Sequence, residues 1–277
     1  MRIAAAILLL LGQSIIQAAL VWEPVTQTQV VFVDRPAAVY QDIRNDEDRA
    51  VTESLRLKLL QSTSSTAAPI PGWEQKKQLV VPAKQTIKTT VELTLPKVTS
   101  PTRFRITWSS EVGALLGDTE IIGCPADLFA PLRKLSSREP VGIAGDSDNR
   151  LATLLRSQGC QVREVRNWED MKSNMALLVN VSGKGKDDDL SRLAAQYAKE
   201  WGGKVVWLVE SDSRSLTPEP AVCVFPHGQG TLVVGTGIGL SDLSQNPLSQ
   251  LRLVWLVELA RSSEENRLML LGRLMNL

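Results

Sequence analysis

The sequence predicts two domains, an immunoglobulin-like antiparallel β-sandwich over residues 20–125 and an α/β domain with a mostly parallel sheet over 140–262. Three observations predict this. The apolar period is two up to about residue 124. From about residue 139 short continuous apolar runs alternate with stretches of helical period. The chain has 277 residues, which suits one or two domains of roughly 100–200 residues each.

The first element is an address. Arg2 precedes an apolar run from Ile3 to Leu11, and small residues follow at Ala18-Ala19. A positive start, a short apolar centre and small residues read as a secretory signal peptide over residues 1–19, cleaved after Ala19. The alternative is an uncleaved anchor reaching Val21 or Trp22, since about 20 residues span a bilayer. Either way the body is expected outside the cytoplasm, periplasmic or extracellular, with the membrane touched only through that segment if it is retained.

The sandwich strands follow from alternation. Leu55, Leu57 and Leu59 alternate with Arg56 and Lys58. Ile87 to Leu95 and Phe104 to Trp108 repeat the pattern, each run with one apolar and one wet face. Further strands are expected at Gln29–Val33, Val39–Ile43, Leu79–Val81 and Gly117–Ile122. Turn-rich breaks are expected at Asn45–Asp48, Ser62–Gly72, Pro96–Pro101 and Ser109–Gly113. About seven short strands in about 100 residues give the immunoglobulin-like architecture.

A linker is expected over 126–139. Beyond it, Val141–Ala144 reads as a strand and Asn149–Gln158 as a helix. Cys160–Val165 and Met175–Val181 read as strands, the second apolar on both faces. Leu190–Trp201 reads as a helix with Leu193, Ala194, Tyr197 and Trp201 in register, stopped by Gly202-Gly203. Strands follow at Lys204–Glu210, Val222–Phe225 and Thr231–Gly235, then an apolar helix at Leu248–Ala260. This alternation predicts a parallel sheet with helices on both faces. The tail, 263–277, reads as an amphipathic helix with Leu268, Leu271, Leu274 and Met275 on one face. It docks on its own domain or, alternatively, on a partner.

Composition excludes several classes. Lys+Arg total 31 against 30 Asp+Glu, which disfavours a broad nucleic-acid footprint. One His and three Cys are too few for most metal sites, and no cofactor or metal site is expected. Cys124, Cys160 and Cys223 read as three buried thiols. If one bridge forms in an oxidising compartment, Cys160–Cys223 is the first choice, because both fall in the same predicted domain.

Gly235-x-Gly237-x-Gly239 has one glycine early for a dinucleotide loop and too little chain after it, so it reads as a glycine-rich strand exit. Gly183-Lys184-Gly185-Lys186 lacks phosphate-loop spacing, and Asp187–Asp189 read as helix caps. Asn180-Val181-Ser182 matches a glycosylation acceptor by chance at the end of an apolar strand. His227 is the sole imidazole. Ser211 and Ser213 follow a strand end, where α/β enzymes expose nucleophiles, but no glycine flanks them for a tight elbow. No catalytic set is therefore expected; the alternative pair is Ser211 with His227.

The stretch from Met175 to Val181, with Leu190-Ser191-Arg192-Leu193 through Trp201-Gly202-Gly203-Lys204-Val205-Val206-Trp207-Leu208, resembles class I glutamine amidotransferase-like domains, including their non-catalytic extracytoplasmic relatives. Gly228-Gln229-Gly230-Thr231-Leu232-Val233-Val234 resembles the hairpin such relatives carry before a terminal helix. The resemblance covers roughly 139–262 and implies a flavodoxin-like α/β fold. It also implies a Cys nucleophile in a glycine-flanked elbow with a downstream His-Glu pair. Here Ser211 or Asp212 stands at the elbow and no His-x-Glu follows, so the resemblance is to a member lacking the catalytic set. The whole arrangement resembles exported bacterial proteins to which no activity is attached.

The leading expectation is a non-catalytic exported interaction protein of the cell envelope, with protein partners in a larger assembly. One alternative is a serine hydrolase with an atypical turn at Ser211 and His227. The other is a carbohydrate or small-ligand binder using Trp22, Trp73 and Trp108, which requires a shared exposed row of rings.

Overall fold

A computed structural model describes residues 20–23, 28–63, 65–146, 148–171, 175, 177–182, 189–209, 222–227, 230–236, 238, 240 and 243–275. Two compact units emerge. One gathers the described residues of Met1–Thr26, Ala38–Leu93 and Arg103–Ile121; the other those of Gln27–Ala37, Thr94–Thr102 and Ile122–Leu277. The expected signal segment, residues 1–19, lies outside the described residues. Among the described residues no helix is long and apolar enough to cross a membrane.

Eight strands come first: β1 (Leu20–Trp22), β2 (Gln29–Phe32), β3 (Ala37–Asn45), β4 (Val51–Ser62), β5 (Ala67–Val81), β6 (Thr86–Leu93), β7 (Thr102–Ser110) and β8 (Leu115–Cys124). They form a three-stranded sheet ordered β1-β3-β6 and a five-stranded sheet ordered β2-β8-β7-β4-β5. Each strand anticipated from alternation is present. The exception to the anticipated breaks is Ser62–Gly72, where Ala67 to Gly72 are strand. Pro69 and Pro71 are accommodated there because β5 closes one edge of its sheet, where proline is tolerated in a strand.

Alternation then builds the core of this first unit. Val39 and Ile43 of β3, Val91 and Leu93 of β6, and Leu55, Leu57, Leu59, Phe104, Ile106 and Trp108 of β4 and β7 are all buried. One polar relay crosses it. Trp108 Nε1 donates to Thr119 Oγ1 at 2.8 Å, and Thr119 Oγ1 donates to Gln41 Oε1 at 2.8 Å. Gln41 Nε2 in turn donates to the Glu23 carbonyl at 2.5 Å. Buried polar groups are tolerated when each finds a partner, and this relay satisfies three side chains at once. Along one edge, Gln75 and Lys77 of β5 donate to the Glu92 and Thr90 carbonyls of β6 at 3.2 and 2.6 Å.

The second unit contains α1 (Ala130–Ser136), β9 (Val141–Ala144), α2 (Arg150–Ser157), β10 (Val162–Val165), α3 (Trp168–Met171), β11 (Leu177–Ser182), α4 (Asp189–Trp201), β12 (Lys204–Val209), β13 (Val222–His227), β14 (Gly230–Thr236), α5 (Pro247–Arg261) and α6 (Glu264–Met275). Its sheet runs β10-β9-β11-β12-β14-β13, parallel except for the β13–β14 pair. The continuous apolar strands divide between two cores by their period of two. Val141, Ile143, Leu177, Val179, Val181, Val206, Leu208 and Val233 face a layer built from α1, α2, α5 and α6. Leu178, Val205 and Leu232, with Trp207 and Val234, face α3 and α4. A strand covered on both sides has no position that must be polar, which is why these runs read as unbroken.

Three details differ from expectation. The anticipated linker, 126–139, carries α1, and Leu128, Phe129 and Leu132 are buried in the main core. Its apolar side chains tie it to the second unit. In α6 the buried positions are Leu270 and Leu274, while Leu268 is 77% exposed. Leu271 and Leu274 pack on the core as expected, Leu270 joins them in place of Leu268, and Arg267 bonds Ser262 O at 3.1 Å and Thr231 Oγ1 at 2.8 Å. Trp201, expected in the α4 core register, is exposed at the last residue of that helix.

Candidate functional site

In open α/β sheets the carboxyl ends of the strands are where loops converge on ligands. Here β9 leaves through Gly145 and Asp146 into α2. Gly145 has φ +74°, and a Cβ there would collide with the Val181 carbonyl oxygen, so the loop lies hard against β11. Asp146 is turned onto the helix it precedes. Its Oδ1 accepts from Arg150 N at 3.0 Å and its Oδ2 from Ala152 N at 2.9 Å. Asn149, the residue before the helix, has a left-handed φ of 54° and makes no side-chain cap. Asp146 therefore neutralises the helix N-terminus that a bound anion would otherwise use.

Beside this loop lies a cleft of about 350 Å³ lined by Ile143, Asp146, Asn149, Glu164, Val165 and Arg166, among others. Its other ionisable groups are paired. Glu164 accepts from Arg166 at 2.7 Å and from Arg156 of α2 at 3.0 Å. Those bonds, Arg166's first, hold the Glu164 carboxyl below its ordinary range, and Glu164 in turn raises Arg166. Arg166 N also donates to Asp170 Oδ2 at 2.9 Å, fixing the exit of β10. Asp146, Glu164 and Arg166 were not singled out from the sequence. An Asp four residues ahead of a helix is a legible cap, but Glu164 and Arg166 sit two apart on a strand, a spacing with no chemical signature.

The sequence candidates fare as follows. Ser211 and Ser213 lie outside the described residues, as do Gly183–Lys186 and Asp187. His227 is the last residue of β13, with its backbone opposite Gly230. Gly235 lies inside β14, where a Cβ would overlap Leu256 Cδ1, so its smallness serves the packing of α5. Asp189 opens α4 and pairs with Arg192 at 2.6 Å. Among the described residues no group of three or more His, Cys, Asp or Glu is gathered as metal ligands would be.

The aromatic row is not formed by the three rings proposed for it. Trp108 is 1% exposed inside the relay, and half-buried Trp22 and Trp73 stand on β1 and β5, in different sheets. The cysteines also differ from expectation. All three are free; Cys124 and Cys160 are buried but Cys223 is exposed. Cys160 leads into β10 and Cys223 lies in β13, the two opposite edges of the sheet. Five strand spacings of about 4.8 Å separate those edges, far beyond the reach of a disulfide. Burial pushes the Cys124 thiol up to about 12, and burial also raises Cys160, so both are poor nucleophiles.

No family model matches the chain, and no curated protein matches it. Among solved structures the chain is similar to a β-glucosidase from Listeria innocua in complex with glucose, at 18% identity and a TM-score of 0.27, over 38% of this chain and 16% of that one. A β-glucosidase from Kluyveromyces marxianus in complex with glucose gives 12% identity and 0.26, over 38% and 13%. One from Erythrobacter marinus gives 18% and 0.26, over 38% and 14%. The chain thus spans 16% or less of the length of these proteins, and likeness of that degree carries no argument for fold or activity.

Proposed function

We propose that the chain is a non-catalytic exported protein of the cell envelope, joined to protein partners in a larger assembly. Its modules in this reading are an immunoglobulin-like β-sandwich and a flavodoxin-like α/β domain, the latter akin to class I glutamine amidotransferase-like domains without their catalytic set. The observation that carries the reading is the pairing of the ionisable groups at the ends of β9 and β10. Asp146 is committed to two backbone N–H groups and Glu164 to two guanidinium groups. A general base needs lone pairs directed at substrate and a proton affinity suited to its working pH. A carboxylate held low by two arginines meets neither need.

Two further observations support it. The order β10-β9-β11-β12-β14, with the first parallel strand second in the sheet, is that of flavodoxin-like folds. The Arg2 start, apolar run and Ala18-Ala19 support export.

The test has two arms. The purified mature chain is expected to hydrolyse neither amide nor ester substrates and to take no label from a serine-directed probe. Turnover abolished by Ser211→Ala or His227→Ala would make it a hydrolase instead. Cross-linking in intact cells is expected to join the chain to envelope proteins, and intact mass of the exported form is expected to begin at Leu20. A full-length, cytoplasmic, uncross-linked chain would end the reading.

A further inference from the structure

We infer that the outward face of the five-stranded sheet docks an acidic polypeptide segment in extended conformation. This rests on the interaction reading above and names the chemistry of one partner.

The face is read from register. On β4, Leu55, Leu57 and Leu59 point into the core, so Arg56 and Lys58 point out. On β5, Lys76 stands directly opposite Arg56, and Glu74 directly opposite Lys58. On the other side of β4, Ser109 and Thr107 of β7 flank the same two positions, with Arg105 and Arg103 further along. Arg105 is paired with Asp118 at 3.0 Å and Glu120 at 3.2 Å. Arg56, Lys58, Lys76 and Arg103 make no ion pair among the described residues, and Arg56 Nε is buried with no hydrogen-bond partner there.

This arrangement has a cost. Like charges directly opposite on adjacent strands are destabilising, and Arg56 faces Lys76. An anion laid over the pair removes that repulsion. The spacing selects the shape of the anion. Arg56 and Lys58, two residues apart on one strand, are about 6.8 Å apart, and an extended peptide sets alternate side chains at the same interval. Carboxylates on every second residue would meet Arg56 and Lys58 in turn, with Lys76 beside the first, while the hydroxyls of Ser109 and Thr107 donate to the Arg56 and Lys58 carbonyls at 3.2 and 3.4 Å and tie β7 to β4 alongside. A nucleic acid fits less well: it carries dense charge and calls for a broad basic footprint, whereas this chain holds 31 basic against 30 acidic residues. Exposed cations of this kind give modest affinity and strong salt dependence, so the face confers orientation and choice of partner more than tight binding.

The experiment uses the full chain and a fluorescein-labelled peptide of alternating Glu and Thr, followed by anisotropy. Binding is expected at low ionic strength and is expected to fade by about 0.3 M salt. Lys58→Glu with Lys76→Glu is expected to weaken it about tenfold or more, while Lys199→Glu on α4 leaves it unchanged. Lys76→Glu alone is expected to raise the melting temperature, since it converts the Arg56 repulsion into an attraction. Binding that is absent at low salt, or indifferent to the double variant, overturns the inference. So does tighter binding to single-stranded DNA or to phosphatidylglycerol vesicles, or a lower melting temperature for Lys76→Glu. Lost peptide binding with cross-links to envelope proteins intact would refute this surface alone; lost cross-links would refute the reading beneath it.

Discussion

At the scale of single residues, Thr119 matters more than its type suggests. Its hydroxyl accepts from Trp108 and donates to Gln41, and all three side chains are about 1% exposed. Thr119→Val keeps the shape and removes both bonds, leaving a buried indole N–H and a buried amide oxygen unpaired. A loss of about 1–3 kcal/mol is expected, read as a lower urea midpoint with an unchanged slope. Alternation made Trp108 legible as a core ring. The relay was not legible, because an inward Thr looks like an outward one in sequence and its acceptor Gln41 lies 78 residues away. The same limit hid the cleft: Glu164 draws its partners from α2 and from the strand exit, which only the folded chain brings together.

At the scale of elements, three glycines form a graded series. Gly113 has φ +88° and open space for 4 Å around the point a Cβ would occupy, so Gly113→Ala is expected to cost about 1 kcal/mol of backbone strain. Gly235→Ala pushes α5 from the sheet through Leu256, at about 1–3 kcal/mol. Gly145→Ala combines positive φ with a collision against the β11 backbone and is expected to exceed about 3 kcal/mol. Thermal melts that break this order would show that the β9–α2 loop can move aside. The link between β10 and α2 titrates. Glu164 is held below its unfolded value by Arg166 and Arg156, so its contribution is present above the ordinary carboxylate range and is lost as pH falls through the folded value. Glu164→Gln is expected to melt lower than the parent near neutrality and to converge with it in strong acid. Equal differences at both ends would contradict the assignment. Strands and long helices were legible because period and glycine stops mark them. The short helix α3 was not, since Trp168–Met171 gives only about one turn of pattern.

At the scale of the molecule, the second unit takes in two segments that interrupt the first in sequence, Gln27–Ala37 and Thr94–Thr102. Phe32 of β2 is buried in the core that holds α5, and α5 packs on β2. Arg35 lies 4.6 Å from the Phe32 ring centroid. Phe32→Ala is expected to cost about 3–5 kcal/mol and to loosen the parallel-sheet unit, seen as faster amide exchange in β9 and β11 than in β4 and β7. Uniform loss across both sets would deny that β2 belongs to that core. The strand was legible at Gln29–Val33; its allegiance was not, because sequence order suggested that neighbours in the chain share a core.

That allegiance has a temporal meaning. Synthesis runs from the N-terminus, and β2 emerges roughly 215 residues before the helix it packs on begins. Contacts closed over such separations form slowly, because loop entropy is lost before they stabilise anything. Phe32 must wait for its cover from α5 while the intervening elements are made. Maturation of this unit therefore waits on the synthesis of α5, and chains ending before Pro247 are the species in which β2 should be most open to proteases.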